Sequence, residues 1–287
     1  MRKDILLPCL ALGGGGAGFL LRRQQLASAY VPETGLFVPG ATSTWLLLGL
    51  TALLALAFLL LVQGELQGET DYLSVFGSPE AGQMTALAAA GLLLLAAGAL
   101  GLKEAAADLQ LWRSAPGSYQ VSFPAAQLIA SVLCVPAGLG VLLMGRMAYR
   151  GELDGTACRL SSFPALMGLV WLFVCHLEHG TEPVLMRYGP SLFAICFLTL
   201  AHYYAAGALF GRTARKRTAF CALLGSVLGI VSLADRPTLF TAAATLAFSL
   251  SALALVRVLL RTAFGPPWPK RLMSERMPPL EEEEQDG

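Results

Sequence analysis

Charge is scarce in this sequence. Asp, Glu, Lys and Arg make up 14% of 287 residues, against about 25% in an ordinary soluble domain. So thin a polar coat cannot keep in water a chain that is 55% hydrophobic. The charges that remain nearly cancel, at a net +1, so no global field draws nucleic acid. Histidine is scarcer still, with three residues. Metal and acid–base chemistry are therefore confined to few places. The six cysteines include no CxxC pair and fall in or beside apolar runs. They read as small buried apolar side chains rather than a disulfide framework.

Catalytic signatures are missing too. There is no P-loop, no Gly-x-Ser-x-Gly elbow, no pair of catalytic carboxylates and no Rossmann glycine pattern. The run Gly13–Gly16 is not a phosphate loop. It lies within an apolar stretch and lacks the Lys-Ser/Thr that must follow. These gaps point away from an enzyme, and no cofactor is expected.

Long apolar runs are what the sequence does have. Eight qualify as membrane crossings: Ile5–Leu21, Thr44–Val62, Met84–Leu102, Pro124–Met144, Leu160–Leu177, Pro190–Gly211, Thr218–Ala234 and Pro237–Val256. Each is near the about 20 residues a helix needs to cross the hydrocarbon core. None contains Asp, Glu, Lys or Arg. The runs are continuous rather than alternating, which favours helices over strands. A helix also satisfies its own backbone hydrogen bonds in lipid. The expected fold is therefore an all-α polytopic transmembrane bundle of eight spans, over residues 1–261. Seven spans remain an alternative if one early run does not cross. Residues 262–287 read as a cytosolic tail, basic at Lys270, Arg271 and Arg276 and acidic from Glu281.

Lys and Arg set the orientation. With eight spans, fourteen of the twenty fall on the side of both termini, and six on the other. Both termini are thus expected in the cytoplasm. One loop disagrees: residues 63–83 carry four acidic residues and no basic one on that same side. Glycine is abundant, at 30 residues, and small residues let helices approach closely in lipid, where burial gives no hydrophobic reward.

Two places could carry chemistry. Residues 175–179 read Cys-His-Leu-Glu-His. The zincin motif needs histidines at i and i+4, with the glutamate directly after the first. Here His176 and His179 are three apart and Glu178 lies between them. The reversed motif would need a histidine where Cys175 stands. His202 lies about twelve residues into its span, roughly 18 Å from that loop, too far to be a third ligand. His176, Glu178 and His179 are a minority metal site. A plain helix end stopped by Gly180 is the simpler reading.

The second place is His202-Tyr203-Tyr204, near the middle of the sixth span. Polar groups at that depth are costly and turn towards the bundle interior. Gln127 and Ser131, one turn apart in the fourth span, are the expected partners. Together these five residues form the candidate ligand-binding or cavity-lining set.

Residues 19–40 read FLLRRQQLASAYVPETGLFVPG. Leu21-Arg22-Arg23, Leu26-Ala27, Ala29 and Glu33-Thr34-Gly35-Leu36 resemble the segment after the first helix in uncharacterised multi-span membrane proteins of clostridial (Firmicutes) bacteria. No activity is assigned to that group. The resemblance implies a bacterial cytoplasmic membrane and says nothing of substrate.

Two roles fit these observations best. The first is a non-enzymatic membrane protein: a scaffold, sensor or assembly partner. Its partners would be the lipid bilayer and a protein reached through residues 22–43 or the tail. The alternative is a permease for a small neutral solute, with a midplane site near His202. The permease reading requires a cavity of about 300 Å³ or more reaching that histidine.

Overall fold

The structure is a computed structural model that describes residues 2–63, 72–115, 121–180, 182 and 184–265. Of the tail expected over residues 262–287, Thr262–Phe264 instead continue the last helix, and residues from 266 onward lie outside the described residues. So do Glu65, Glu69 and Asp71 of the acidic loop.

Among the described residues, eight helical segments are long and apolar enough to cross a membrane. Seven are single helices: α1 (Lys3–Ser28), α2 (Thr42–Val62), α4 (Ala81–Ser114), α5 (Ser122–Arg150), α8 (Gly189–Leu209), α9 (Arg215–Ser232) and α10 (Leu239–Phe264). The eighth is split into α6 (Gly155–Leu160) and α7 (Phe163–Glu178). The short α3 (Tyr72–Phe76) precedes α4. The protein is an all-α, multi-pass membrane protein.

The helices outrun the apolar stretches that announce them. α1 continues through Arg22, Arg23 and Gln25, residues expected to start a loop. α4 continues to Ser114. Its extension, Lys-Glu-Ala-Ala-Ala-Asp-Leu-Gln-Leu-Trp-Arg, is made mostly of good helix formers. At 34 residues α4 is about 51 Å long, well beyond a hydrocarbon core of about 30 Å. Polarity ends a span without ending a helix. The fifth run breaks at Ser161 and Ser162, whose hydroxyls turn back to the carbonyls of Cys158 and Arg159. Pro164 then sits in the first turn of α7, where its missing N–H costs nothing.

Between α1 and α2 the chain forms a small antiparallel hairpin, β1 (Tyr30–Val31) with β2 (Leu36–Phe37), in register Tyr30↔Phe37 and Val31↔Leu36. Gly35 turns it with a φ of 67°.

Six spans close into a ring in the order α4, α5, α7, α8, α9, α10, and back to α4. α1 lies outside the ring against α9 and α10, and α2 lies against α1 and α9. Glycines set the closest approaches. A methyl on Gly91 of α4 would lie 2.7 Å from the Gly138 carbonyl of α5, and one on Gly138 2.8 Å from the Gly91 carbonyl. In the Gly13–Gly16 run, Gly15 meets Ile230 of α9 and Gly14 meets Leu54 of α2, while Gly13 and Gly16 face open space. Gly18 meets Val231.

Both ends of the bundle are tied by charge. At the end carrying Lys3 and Phe264, the Lys3 ammonium lies 4.6 Å over the Phe264 ring. Glu80, just before α4, accepts from Arg257 at 2.9 Å and Arg261 at 2.6 Å. This face, called the terminal face below, gathers the starts of α1 and α4 and the end of α10. One member of the discordant acidic loop is thus paired with basic residues of α10.

Candidate functional site

His202 is buried, 3% exposed, on the inner side of α8. Its Nδ1 lies 2.8 Å from the Leu198 carbonyl and its Nε2 2.8 Å from the Ser251 hydroxyl of α10. A carbonyl only accepts, so Nδ1 carries the proton. In the neutral ring Nε2 then accepts, and Ser251 O–H donates to it. The Ser251 oxygen also lies 2.9 Å from the Ala247 carbonyl and 3.0 Å from that of Phe248. Its single proton serves one partner at a time. Phe248 meets the imidazole edge-on at 4.7 Å. Trp171 of α7, 1% exposed, packs on Phe248 at 5.6 Å and on Phe240 at 6.4 Å. Aromatic side chains from α7 and α10 therefore pack beside His202 within the ring.

The other members of the expected set lie elsewhere. Gln127 donates to Glu104 at 3.1 Å, and Ser131 donates to the Gln127 carbonyl at 2.7 Å. Neither hydrogen bonds to His202, whose partner is Ser251. Ser251 lies 49 positions further along the chain, and serine is too common in such spans to be singled out by eye. Tyr203 is 58% exposed and points outward from α8, while Tyr204 is half-buried. Three successive helical residues point roughly 100° apart, so they cannot share a face. Both tyrosines line a cleft of about 730 Å³ between α7 and α8 that does not include His202.

The 175–179 cluster is likewise divided. Cys175 is buried, His176 and Glu178 are exposed, and His179 is intermediate. His179 Nδ1 lies 3.0 Å from the Cys175 carbonyl, and the ring stacks on Tyr188 at 5.0 Å. Among the described residues, no three His, Cys, Asp or Glu side chains come together to hold a metal ion.

A charged network at the face opposite the termini escaped the sequence reading. Arg22 is 0% exposed. Its Nε donates to Asp235 at 2.7 Å, one terminal nitrogen to Gln25 at 2.8 Å, and the other to the Arg187 carbonyl at 2.7 Å. Gln25, itself buried, donates to Thr44 at 2.9 Å. Arg187 lies 3.6 Å from the same Asp235 oxygen. The guanidinium of Arg22 lies 5.6 Å from the Phe37 ring centre, and that of Arg187 5.4 Å from the Tyr30 ring centre. One buried arginine thus joins α1, the turn before α8 and the turn after α9, under the hairpin. The only sequence signal was that Arg22 and Asp235 each end an apolar run.

Glu104 makes a second junction at that face. Its carboxylate accepts from the Phe240 backbone N–H in the first turn of α10 and from Gln127 of α5, both at 3.1 Å. A carboxylate is favourable there, where the α10 N–H groups lack helical partners. α4, α5 and α10 are thereby held in register.

No protein-family model matches the chain, and no curated protein or solved structure matches it.

Proposed function

We propose that this protein is a non-enzymatic component of a bacterial cytoplasmic membrane, with both termini in the cytoplasm, that serves as a scaffold or sensor by assembling with a protein partner. The observation that carries this reading is the internal satisfaction and packing of His202. Both nitrogens of His202 are satisfied within the chain, by Leu198 and Ser251. Phe248 packs directly on its ring, and Trp171 packs on Phe248. The charged groups act as fastenings, since Glu80 at the terminal face and Arg22 and Glu104 at the opposite face each join helices distant in sequence. The hairpin there turns Leu36 and Val38, 45% and 47% exposed, outward. That surface is the contact we assign to a partner.

Two measurements separate this role from a permease. A photo-crosslinking residue at Leu36, in the full chain in native membranes, should capture one discrete protein partner. Recovery of the chain alone would refute assembly through this face. Ala205→Cys, at a fully buried position of α8, should resist a membrane-impermeant thiol reagent from both sides. Rapid labelling would indicate a water-filled path and favour a permease for a small neutral solute.

A further inference from the structure

We infer that the cleft between α7 and α8 is a binding site for one anionic phospholipid. Ser162, Ala165, Leu166 and Leu169 line it from the α7 side, at the i, i+3, i+4, i+7 spacing of one helical face. Tyr203, Ala206, Gly207 and Phe210 line it from the α8 side at the same spacing. The small residues Ala165, Ala206 and Gly207 leave room between the helices. Leu166, Leu169, Tyr203 and Phe210 are 46%, 59%, 58% and 62% exposed and form outward-facing walls. Seven residues of helix make the slot about 10 Å long. Its volume of about 730 Å³ lies within the about 300–1,000 Å³ of small-ligand sites.

Charge chooses the headgroup. The mouth of the slot lies where α8 ends and α9 begins, on the terminal face. Arg212 and Arg217 line it there, and both are exposed. Neither side chain has an ion-pair partner among the described residues. Ala214, the residue that caps α9, also lines the mouth and offers no side-chain acceptor to the N–H groups of the first turn. Those groups favour an anion. Among the described residues, no Asp or Glu lines this cleft. A second cavity on the terminal face, of about 360 Å³, differs in holding Glu152 and Asp154 beside Arg146 and Arg150. An apolar slot on the outer surface of the bundle, ending in two guanidinium groups without an ion-pair partner among the described residues, matches an acyl chain joined to a phosphate. The occupant is a phospholipid of the surrounding membrane, whatever the role of the bundle interior.

The test is native mass spectrometry of the full chain, delipidated in detergent and titrated with phosphatidylglycerol or phosphatidylcholine of identical acyl chains. One phosphatidylglycerol should be retained in preference to phosphatidylcholine. Arg212→Gln and Arg217→Gln should each lower that preference about fivefold, the pull of an anionic surface on one basic side chain expressed as an affinity ratio. The exposed-wall variant Leu166→Gln/Leu169→Gln should weaken both lipids together and leave their ratio unchanged. Glycerophosphate, the free headgroup, should not displace the lipid. Equal retention of the two lipids by the unmodified protein would overturn the proposal. So would a preference that survives both arginine changes, unaltered retention in the wall variant, or displacement by glycerophosphate.

Discussion

Removing Asp235 should destabilise this protein more than any change to an exposed charge. Arg22 is 0% exposed and makes three hydrogen bonds of 2.7–2.8 Å. Asp235 supplies the negative charge, and its side chain is 12% exposed. Its other oxygen, Oδ2, is buried without a partner among the described residues. In Asp235→Ala the guanidinium stays buried, keeps only neutral acceptors and faces Arg187 unopposed. Breaking one side of a buried ion pair costs about 3–5 kcal/mol, because the remaining charge is left uncompensated. Arg187→Ala is the control. Its side chain is 26% exposed and 3.6 Å from Asp235, so its loss should cost under about 1 kcal/mol. Arg22→Met/Asp235→Ala should cost about 2 kcal/mol less than the two single changes added, since neither charge is then stranded. The assay is helical circular dichroism across a denaturing-detergent titration in mixed micelles. The Asp235→Ala cost should persist at about 1 M salt, because buried pairs are little screened. A cost below about 1 kcal/mol, or strict additivity in the double variant, would refute the reasoning that Arg22 fastens three segments through charge.

Further outcomes follow from the packing. Gly18→Leu should lower the unfolding midpoint by the about 1–3 kcal/mol of an overpacked contact, since even a methyl there would lie 2.6 Å from Val231; Gly16→Leu, with nothing within 4 Å, should leave the midpoint unchanged in the same titration. Ser251→Ala removes a partner of a buried imidazole and should cost about 1–3 kcal/mol, whereas Ser28→Ala, with an exposed bond to Gln24, should be nearly silent. Tyr72 outside the spans is buried with its hydroxyl unpaired among the described residues, and burial pushes its phenol above the ordinary range. The unfolded chain then releases that proton first, so stability should be full below the free phenol value of about 10 and fall as pH rises above it. Tyr72→Phe should abolish that part of the alkaline loss and leave stability at neutral pH equal or higher, as read from melting curves across pH.

The chemistry-bearing residues were less legible than the spans, and for a common reason. His202 was noticeable because a polar side chain at midspan needs a partner, but periodicity does not say which neighbouring helix supplies it. Gln127 and Ser131 satisfied the same rule, and α5 instead turns Gln127 towards Glu104. His176 and His179 are close in sequence yet differ in exposure, because α7 ends at Glu178: His176 stands exposed on the last turn, while His179 has left the helix and stacks on Tyr188. The apolar run stops before Arg22, which by itself implies a loop there, while helix propensity carries α1 on to Ser28.

The sequence by itself marked the eight apolar runs that form helices long enough to cross a membrane. An uncharged run of about 20 apolar residues has no other low-energy place, and that condition is local to each run. Only the tertiary structure decided the order of the ring, the packing of Trp171 and Phe248 beside His202, and the burial of Arg22. That arginine is tolerable only because Asp235 meets it from 213 positions away. Such compensation is a property of how helices are placed, and no single stretch of sequence contains it.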